Sequence, residues 1–336
     1  MSDYRTSIAE ALGAVEVVSP TTFTWFGAPS RALPAETVQL MDGDSTREYL
    51  LYNLQAQLYA NFYCAGKARP QLGISEPEPT ADHAPFIRAL SEANTGKGAR
   101  ESGWTVVGED AGAVVVVRDG LSLWIAPSDV YRVDGAAIVP GASVGVLMPK
   151  ELLRLSPGFY MALGDAEFPV DGTVSILRFY WSLRSEGAPA LIGALTSRLN
   201  ADGIAFRVKV ASDPGAYSRC DAGVLYTRRD DHERLRSILT DVYETLAPLL
   251  RPTTPALTKQ LMPGLGLAED PGEHDMSFGM NRCKLLAEGI LEAHARGIDD
   301  PAGRLDVVQE RFARDGITVD APYLSQGSAD CYELPG

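Results

Sequence analysis

Cationic and tyrosine side chains recur at two-residue spacing in a strand-like stretch in the middle of the chain. Arg178 and Tyr180 lie two residues apart, so both side chains point to the same face of a strand. In residues 204–210, Arg207 and Lys209 share one face of a strand whose other face is apolar. An Arg beside a Lys on an open sheet face suits a bound phosphate or carboxylate. The alternative is that these cations pair with acidic side chains on a solvated face.

The charge distribution favours an anionic ligand over a nucleic acid. Residues 172–260 carry 12 Lys and Arg against 9 Asp and Glu, whereas the whole chain has a net charge of −14. An anionic ligand is one explanation for a cationic region inside an acidic protein. The negative net charge argues against nonspecific binding to nucleic acid.

Composition predicts a globular cytoplasmic protein that needs no cofactor. The 336 residues are 45% hydrophobic, but no apolar run reaches the roughly 20 residues that span a bilayer. The N-terminus lacks the apolar segment of a signal peptide, which favours a cytoplasmic location and no membrane partner. The four cysteines form no CxxC pair and the four histidines form no HxH or HExxH motif, so neither a disulfide framework nor a metal site is expected.

The element pattern predicts an α+β fold, with a mixed sheet, a central βαββα unit, a strand-rich middle and flanking helices. Short strands separated by Gly and Asp turns at 104–125 predict an antiparallel meander. The same pattern favours either an N-terminal lobe of residues 1–150 followed by a second unit of residues 151–336, or one continuous domain. Residues 251–280 are rich in Pro and Gly and are expected to be mostly loop. Helical periodicity and capping signals predict helices at 4–18, 45–64, 85–93, 188–200, 230–246, 282–296 and 301–315.

Two further loops carry polar groups. The Gly-rich loop that contains Asn94 and Lys97 is either a turn or a backbone-amide cradle for a phosphate, although it does not match GxxxxGK[ST]. The loop before the strand at 223–226 offers four polar side chains close in sequence to the cationic strand. These are Asp213, Tyr217, Arg219 and Asp221. His83, in a Pro-rich segment, is a secondary candidate for an acid.

Several segments resemble the Hop-A-type family, named from type III secretion effectors of plant pathogens. They are SPGFY at 156–160, RFYW at 178–181, FRVKV at 206–210, DPGAYSRCDAGVLY at 213–226, TPALTK at 254–259, AEDP at 268–271 and SFGMNRC at 277–283. The resemblance covers most of the chain from about residue 50 to 325. Bacterial members outside pathogens occur in pathways for peptide natural products such as class V lanthipeptides and thioamitides. The resemblance therefore implies a phosphoserine/phosphothreonine lyase that works with a separate kinase-like protein on a phosphorylated precursor peptide with its leader.

The residues support this chemistry, because β-elimination needs a base, stabilisation of the enolate and a cationic site for phosphate. Lys209 is the hypothetical base, since repulsion from Arg207 favours its neutral amine. Tyr180 or Tyr217 is the hypothetical proton donor. The phosphate would be held by Arg178, Arg207 and Arg219, with Lys259 and Arg282 as second-choice cations.

Other assignments stay open at this point. Lys259 could exchange roles with Lys209, and Arg178 and Arg219 could instead be ion-pair partners of Asp213 or Asp221. The chain could also be a noncatalytic protein that binds a leader peptide or a kinase, or an effector that acts in a host.

Overall fold

The computed structural model describes residues 4–65, 83–132, 134–153, 156–168, 174–272 and 276–334. Within them the α-helices are Tyr4–Gly13 (α1), Ala35–Gln39 (α2), Gly43–Leu58 (α3), Ala84–Ala93 (α4), Ala188–Ala201 (α5), His232–Leu246 (α6), Phe278–Ala295 (α7) and Pro301–Arg314 (α8). The strands are Val15–Ser19 (β1), Thr22–Trp25 (β2), Ala28–Pro29 (β3), Arg100–Asp110 (β4), Ala113–Arg118 (β5), Leu121–Ile125 (β6), Val130–Tyr131 (β7), Ser143–Leu147 (β8), Glu151–Leu152 (β9), Phe159–Leu163 (β10), Ile176–Trp181 (β11), Phe206–Ala211 (β12), Gly223–Arg228 (β13), Lys259–Met262 (β14) and Leu265–Glu269 (β15).

A seven-stranded sheet forms the centre of the molecule, in the order β14-β15-β11-β13-β12-β10-β9. The predicted α+β class is confirmed, and the βαββα unit is β11-α5-β12-β13-α6. The sheet differs from the mixed one expected, because every strand pair in the described residues is antiparallel.

Strand register gives the central sheet one apolar face and one face that carries charge. Phe179, Leu225 and Val208 lie opposite one another and are fully buried. Helix α5 covers this apolar face, since Leu191 lies within 3.4 Å of the position that a side chain on Gly223 would take. The burial of large apolar side chains on this face stabilises the sheet by about 1.5–3 kcal/mol each.

The five-stranded sheet β6-β5-β4-β8-β7 has a separate small core. Trp104, Val116 and Val146 are buried in it. The predicted meander of β4, β5 and β6 is confirmed. The N-terminal helices α1 and α3 instead contribute to the main core, so residues 1–150 are divided between the two cores.

The observed helix boundaries differ from the predicted ones at three helix ends. Helix α1 ends at Gly13, and the following residues pair as β1 and β2 rather than continuing the helix. Asp42 caps α3 by accepting a hydrogen bond from the amide of Ser45, so the helix begins before the predicted capping box. Asp231, rather than Asp230, is the residue that precedes α6.

Residues 251–280, predicted to be mostly loop, contain two strands that the prediction missed. The segment contains the hairpin β14-β15, whose turn includes Pro263 and Gly264. Gly264 has a φ of 82° and Pro263 has a fixed φ, so these residues mark a turn between strands rather than a structureless segment.

Candidate functional site

Register places the predicted cations of β11 and β12 on one face of the central sheet. Arg178 lies directly opposite Tyr226 on β13, and Tyr226 lies directly opposite Arg207 on β12. Lys209 lies opposite Val224 in the adjacent row. We call the surface formed by Arg178, Tyr226, Arg207 and Lys209 the cationic face.

Arg178 is the buried end of the cationic face. Its Nε donates to Oδ2 of Asp270 at 2.7 Å, and its Nη2 lies 2.5 Å from the same oxygen. Burial by itself favours the neutral guanidine, but Tyr226, Tyr180 and Asp270 outweigh it and raise the pKa of Arg178. The side chain is therefore a fixed cation whose charge is already balanced by a carboxylate.

Neither Arg207 nor Lys209 forms an ion pair with a carboxylate among the described residues. The Nε of Arg207 is buried without a hydrogen-bond partner among the described residues. Burial lowers the pKa of Arg207, against an opposing effect of Glu101. Glu101 itself accepts a hydrogen bond of 2.7 Å from Arg118.

Aromatic rings hold both of these cations in place. The guanidinium of Arg207 lies 5.0 Å from the ring centroid of Phe168, and Nζ of Lys209 lies 4.5 Å from that of Phe159. Rings at this distance attract cations without neutralising them. The two half-buried cations therefore remain available to an anion.

Arg219 belongs to a neighbouring ion pair. Its Nε and Nη2 donate to the two carboxylate oxygens of Asp221, both at 2.8 Å. The hydroxyl of Tyr59 donates to Asp221 at 3.0 Å and accepts from Arg219 at 3.0 Å. Burial acts to raise the pKa of Asp221, but Arg219 outweighs it and lowers this pKa. Of the two alternatives left open for Arg219, the structure contains the ion pair with Asp221.

The predicted tyrosine donors lie in closed surroundings. Tyr217 is buried and its hydroxyl donates to the carbonyl of Ala211 at 2.7 Å. Tyr180 lies on the same side of the sheet as Lys209, but Tyr63 and Phe278 cover its ring. Burial raises the pKa of both Tyr180 and Tyr217, so neither hydroxyl is poised to lose a proton.

Tyr226 was missed as a site residue, because its sequence context favours a core tyrosine with a satisfied hydroxyl. In the structure its side chain is half-buried, and its hydroxyl bonds to none of the described residues. Its ring centroid lies 5.2 Å from the guanidinium of Arg178 and 5.9 Å from Nζ of Lys209. The local sequence of β13 gives no signal for this role, because the cations that surround Tyr226 lie on β11 and β12.

The second-choice cations do not join the cationic face. Lys259 lies opposite Leu267 and therefore on the other face of the sheet, where it pairs with Asp330 at 2.7 Å. Arg282 is buried and donates to the carbonyls of Pro322 and Leu324. It fastens the C-terminal segment to α7.

The Gly-rich loop before β4 is a turn whose amides are occupied. The amides of Gly96 and Lys97 donate to the side chains of Asn94 and Asp165, respectively. Asn94 also donates to the hydroxyl of Tyr160 at 3.0 Å. These protein acceptors leave no cradle for a phosphate at these two amides.

His83 and Asp213 lie close to each other. Nε2 of His83 is 3.9 Å from Oδ1 of Asp213, which also accepts a hydrogen bond from the amide of Gly215. Much of the Pro-rich segment that precedes His83 lies outside the described residues.

The described residues contain no group of three His, Cys, Asp or Glu side chains arranged to hold a metal ion. They also contain no helix with the length and apolar character needed to cross a bilayer.

Comparison with known proteins gives one family model and two solved structures. Two effector proteins of Pseudomonas syringae have solved structures with low similarity to this chain. The one from pv. tomato strain DC3000 is 15% identical with a TM-score of 0.48, over 87% of this chain and 94% of its own. The one from pv. syringae strain 61 is 12% identical with a TM-score of 0.46, over 97% of this chain and 99% of its own. No curated protein shows significant similarity to the chain.

The model of the HopA1 effector protein family matches residues 150–324, which is more than half of the chain and includes the whole cationic face. The chain therefore belongs to the HopA1 effector protein family.

Proposed function

We propose that this chain is a phosphoserine/phosphothreonine lyase that binds the phosphate of a phosphorylated precursor peptide on the cationic face. It removes the phosphate by β-elimination and leaves dehydroalanine or dehydrobutyrine in the peptide. A separate kinase-like protein in the bacterial cytoplasm supplies the phosphorylated substrate.

One observation carries this proposal. Among the described arginines that are not exposed, Arg207 alone has no carboxylate or carbonyl partner. A half-buried guanidinium without a partner destabilises the fold, because its desolvation is not offset by an ion pair or hydrogen bond. A phosphate oxygen bound between Arg207 and Lys209 would supply the missing acceptor.

The roles of the residues follow from their positions. Lys209 is the base for the Cα proton, because it is the amine on the cationic face and has no carboxylate partner among the described residues. Arg207 holds the phosphate and stabilises the charge that develops on it as the carbon–oxygen bond breaks. Arg178, held and charge-balanced by Asp270, places a guanidinium of fixed position on the opposite side of Tyr226.

The experiment is mass spectrometry of a synthetic phosphothreonine peptide incubated with the protein alone. Loss of phosphoric acid mass at the modified residue supports the proposal. The variant Lys209→Met is expected to lower the elimination rate by at least about 100-fold, the usual contribution of a positioned base. The matched control Lys259→Met, on the other face of the sheet, is expected to keep the wild-type rate.

A second candidate function is a binding protein without lyase activity, such as a host-targeting effector. The name of the family favours it. In that case the phosphopeptide binds and keeps its mass, both with the protein alone and after addition of a kinase partner. Elimination that appears only with the partner would mean that two chains share the site.

A further inference from the structure

Tyr226 is the central residue of the cationic face, and the proposed lyase reaction leaves one role on that face unfilled. The role is that of the proton donor to the departing phosphate. We infer, on the basis of the proposed function, that Tyr226 is this general acid.

The strand register places the ring of Tyr226 next to Arg178, Arg207 and Lys209. Tyr226 is the direct cross-strand neighbour of both Arg178 and Arg207, and directly opposed side chains lie roughly 4.5–5.5 Å apart at Cβ. Lys209 lies diagonally across the same face, with Nζ 5.9 Å from the ring centroid. A phosphate held by Arg207 beside Lys209 therefore lies next to Tyr226.

The hydrogen-bond pattern separates Tyr226 from the other tyrosines around the site. Tyr59 and Tyr217 donate to Asp221 and Ala211, so their protons are already engaged. The hydroxyls of Tyr63 and Tyr180 are buried away from solvent. Tyr226 is half-exposed, and its hydroxyl has no partner among the described residues. It is the hydroxyl of this group that a substrate can reach.

The step balances with these groups alone. The free amine of Lys209 takes the Cα proton, and the electron pair of that carbon–hydrogen bond forms the Cα–Cβ double bond. The Cβ–oxygen bond breaks and its electron pair stays on the phosphate oxygen. Tyr226 gives its proton to this oxygen, so the product leaves as hydrogen phosphate. The ammonium of Lys209 then returns a proton to the Tyr226 phenolate through solvent.

Electrostatics favours this assignment. As Tyr226 gives up its proton, negative charge develops on its oxygen. The tyrosine ring centroid lies 5.2 Å from the guanidinium of Arg178 and 5.9 Å from Nζ of Lys209, and Arg207 is the direct cross-strand neighbour of Tyr226. Preorganised cations around a developing negative charge stabilise the transition state without reorganisation.

The test compares Tyr226→Phe with wild-type protein on two synthetic peptides, one with phosphothreonine and one with O-sulfothreonine. Sulfate leaves without a proton, whereas phosphate needs one. Tyr226→Phe is expected to slow phosphate elimination by at least about 100-fold and to leave sulfate elimination within about threefold of wild type. The control Tyr243→Phe removes a hydroxyl that donates to the carbonyl of Pro263, outside the cationic face, and is expected to change neither rate.

A second measurement covers the case in which wild-type protein does not eliminate sulfate. The pH–rate profile of phosphate elimination should lose its alkaline limb in Tyr226→Phe, because the acid that must stay protonated is gone. Calorimetry with inorganic phosphate should give the same affinity for both proteins within about threefold, since the phosphate is held by the cations.

The outcomes separate the two proposals. Wild-type protein that leaves the phosphopeptide intact, both alone and with the kinase partner, overturns the proposed function itself. If wild-type protein eliminates phosphate, then the inference alone is overturned in either of two cases. In the first case, Tyr226→Phe eliminates phosphate at the wild-type rate. In the second case, Tyr226→Phe loses activity equally on the phosphothreonine and O-sulfothreonine peptides, and its pH–rate profile is unchanged.

Discussion

Replacement of Arg219 by Met tests whether this residue holds the fold together or binds phosphate. In the structure Arg219 donates two hydrogen bonds of 2.8 Å to Asp221. The carboxylate side chain is only 8% exposed, whereas that of Arg219 is 24% exposed. The substitution therefore leaves a buried carboxylate with the hydroxyl of Tyr59 as its remaining donor in the triad.

The expected cost follows from this asymmetry of burial. Loss of one partner from a buried ion pair destabilises a protein by about 3–5 kcal/mol, because an uncompensated charge remains. Arg219→Met is expected to lie in this range, near its lower end since Tyr59 still donates. Asp221→Asn leaves behind the more exposed partner and is expected to cost about 1–2 kcal/mol. The double variant is expected to be at least about 1 kcal/mol more stable than Arg219→Met, because no buried charge is left.

Urea unfolding of the four proteins, followed by tryptophan fluorescence, measures these differences. Calorimetry with inorganic phosphate is run on each of them in parallel. A loss below about 1 kcal/mol in Arg219→Met, together with a phosphate affinity reduced at least about tenfold, would refute the reasoning. That result would place Arg219 among the phosphate ligands instead.

Three further predictions concern other parts of the molecule. Gly98→Ala should destabilise the protein by about 2–4 kcal/mol in urea unfolding, because the φ of Gly98 is 97° and the added Cβ would lie 2.2 Å from a backbone carbonyl oxygen. The control Gly112→Ala places its Cβ within 4 Å of no other atom and should cost only about 1 kcal/mol. Burial lowers the pKa of His232 in the folded protein. The stability that this residue contributes is therefore fully present above about pH 6.5 and is lost as the pH falls through the folded pKa. The urea midpoint of His232→Gln should depend less on pH than that of the wild-type protein between about pH 7.5 and 5. Lys259→Met breaks a partly exposed ion pair with Asp330 and should cost about 0–1 kcal/mol, with the phosphate affinity unchanged in calorimetry.

Much of the fold could be predicted from local sequence. The apolar periodicity predicted α3, α5, α6, α7 and α8, and the meander β4-β5-β6 followed from alternation and turn residues. The hairpin β14-β15 could not be recognised, because its strands include Gly266 and other small residues that pack closely. A side chain at Gly266 would lie 2.8 Å from the hydroxyl of Thr258. Tertiary packing, rather than strand propensity, therefore explains the small residue there.

The candidate site shows the same division between local and nonlocal information. Alternation correctly put Arg207 and Lys209 on one face of β12, and Arg178 and Tyr180 on one face of β11. The order of the strands is not encoded in that alternation. The insertion of β13 between β11 and β12 brings Tyr226 to the centre of the cationic face. The pairing of β14 with β15, and of β15 with β11, puts Lys259 on the opposite face of the sheet. The position of Lys259 in the sequence does not separate it from the cations of the cationic face.

The placement of carboxylates on and beside the cationic face argues for a dianionic ligand. Arg178 and Arg219 are each balanced by one carboxylate, Asp270 and Asp221. Arg207 and Lys209 form no hydrogen bond or ion pair with an acidic side chain among the described residues, although Glu101 and Asp221 interact with them electrostatically. They are two positive charges until Lys209 gives up a proton to act as the base. A phosphomonoester carries a charge of about −1.5 to −2 at neutral pH, which matches two such cations, whereas a carboxylate or a phosphodiester carries only one negative charge. The charge balance of the face therefore favours a phosphorylated side chain over the acidic residues of a leader peptide.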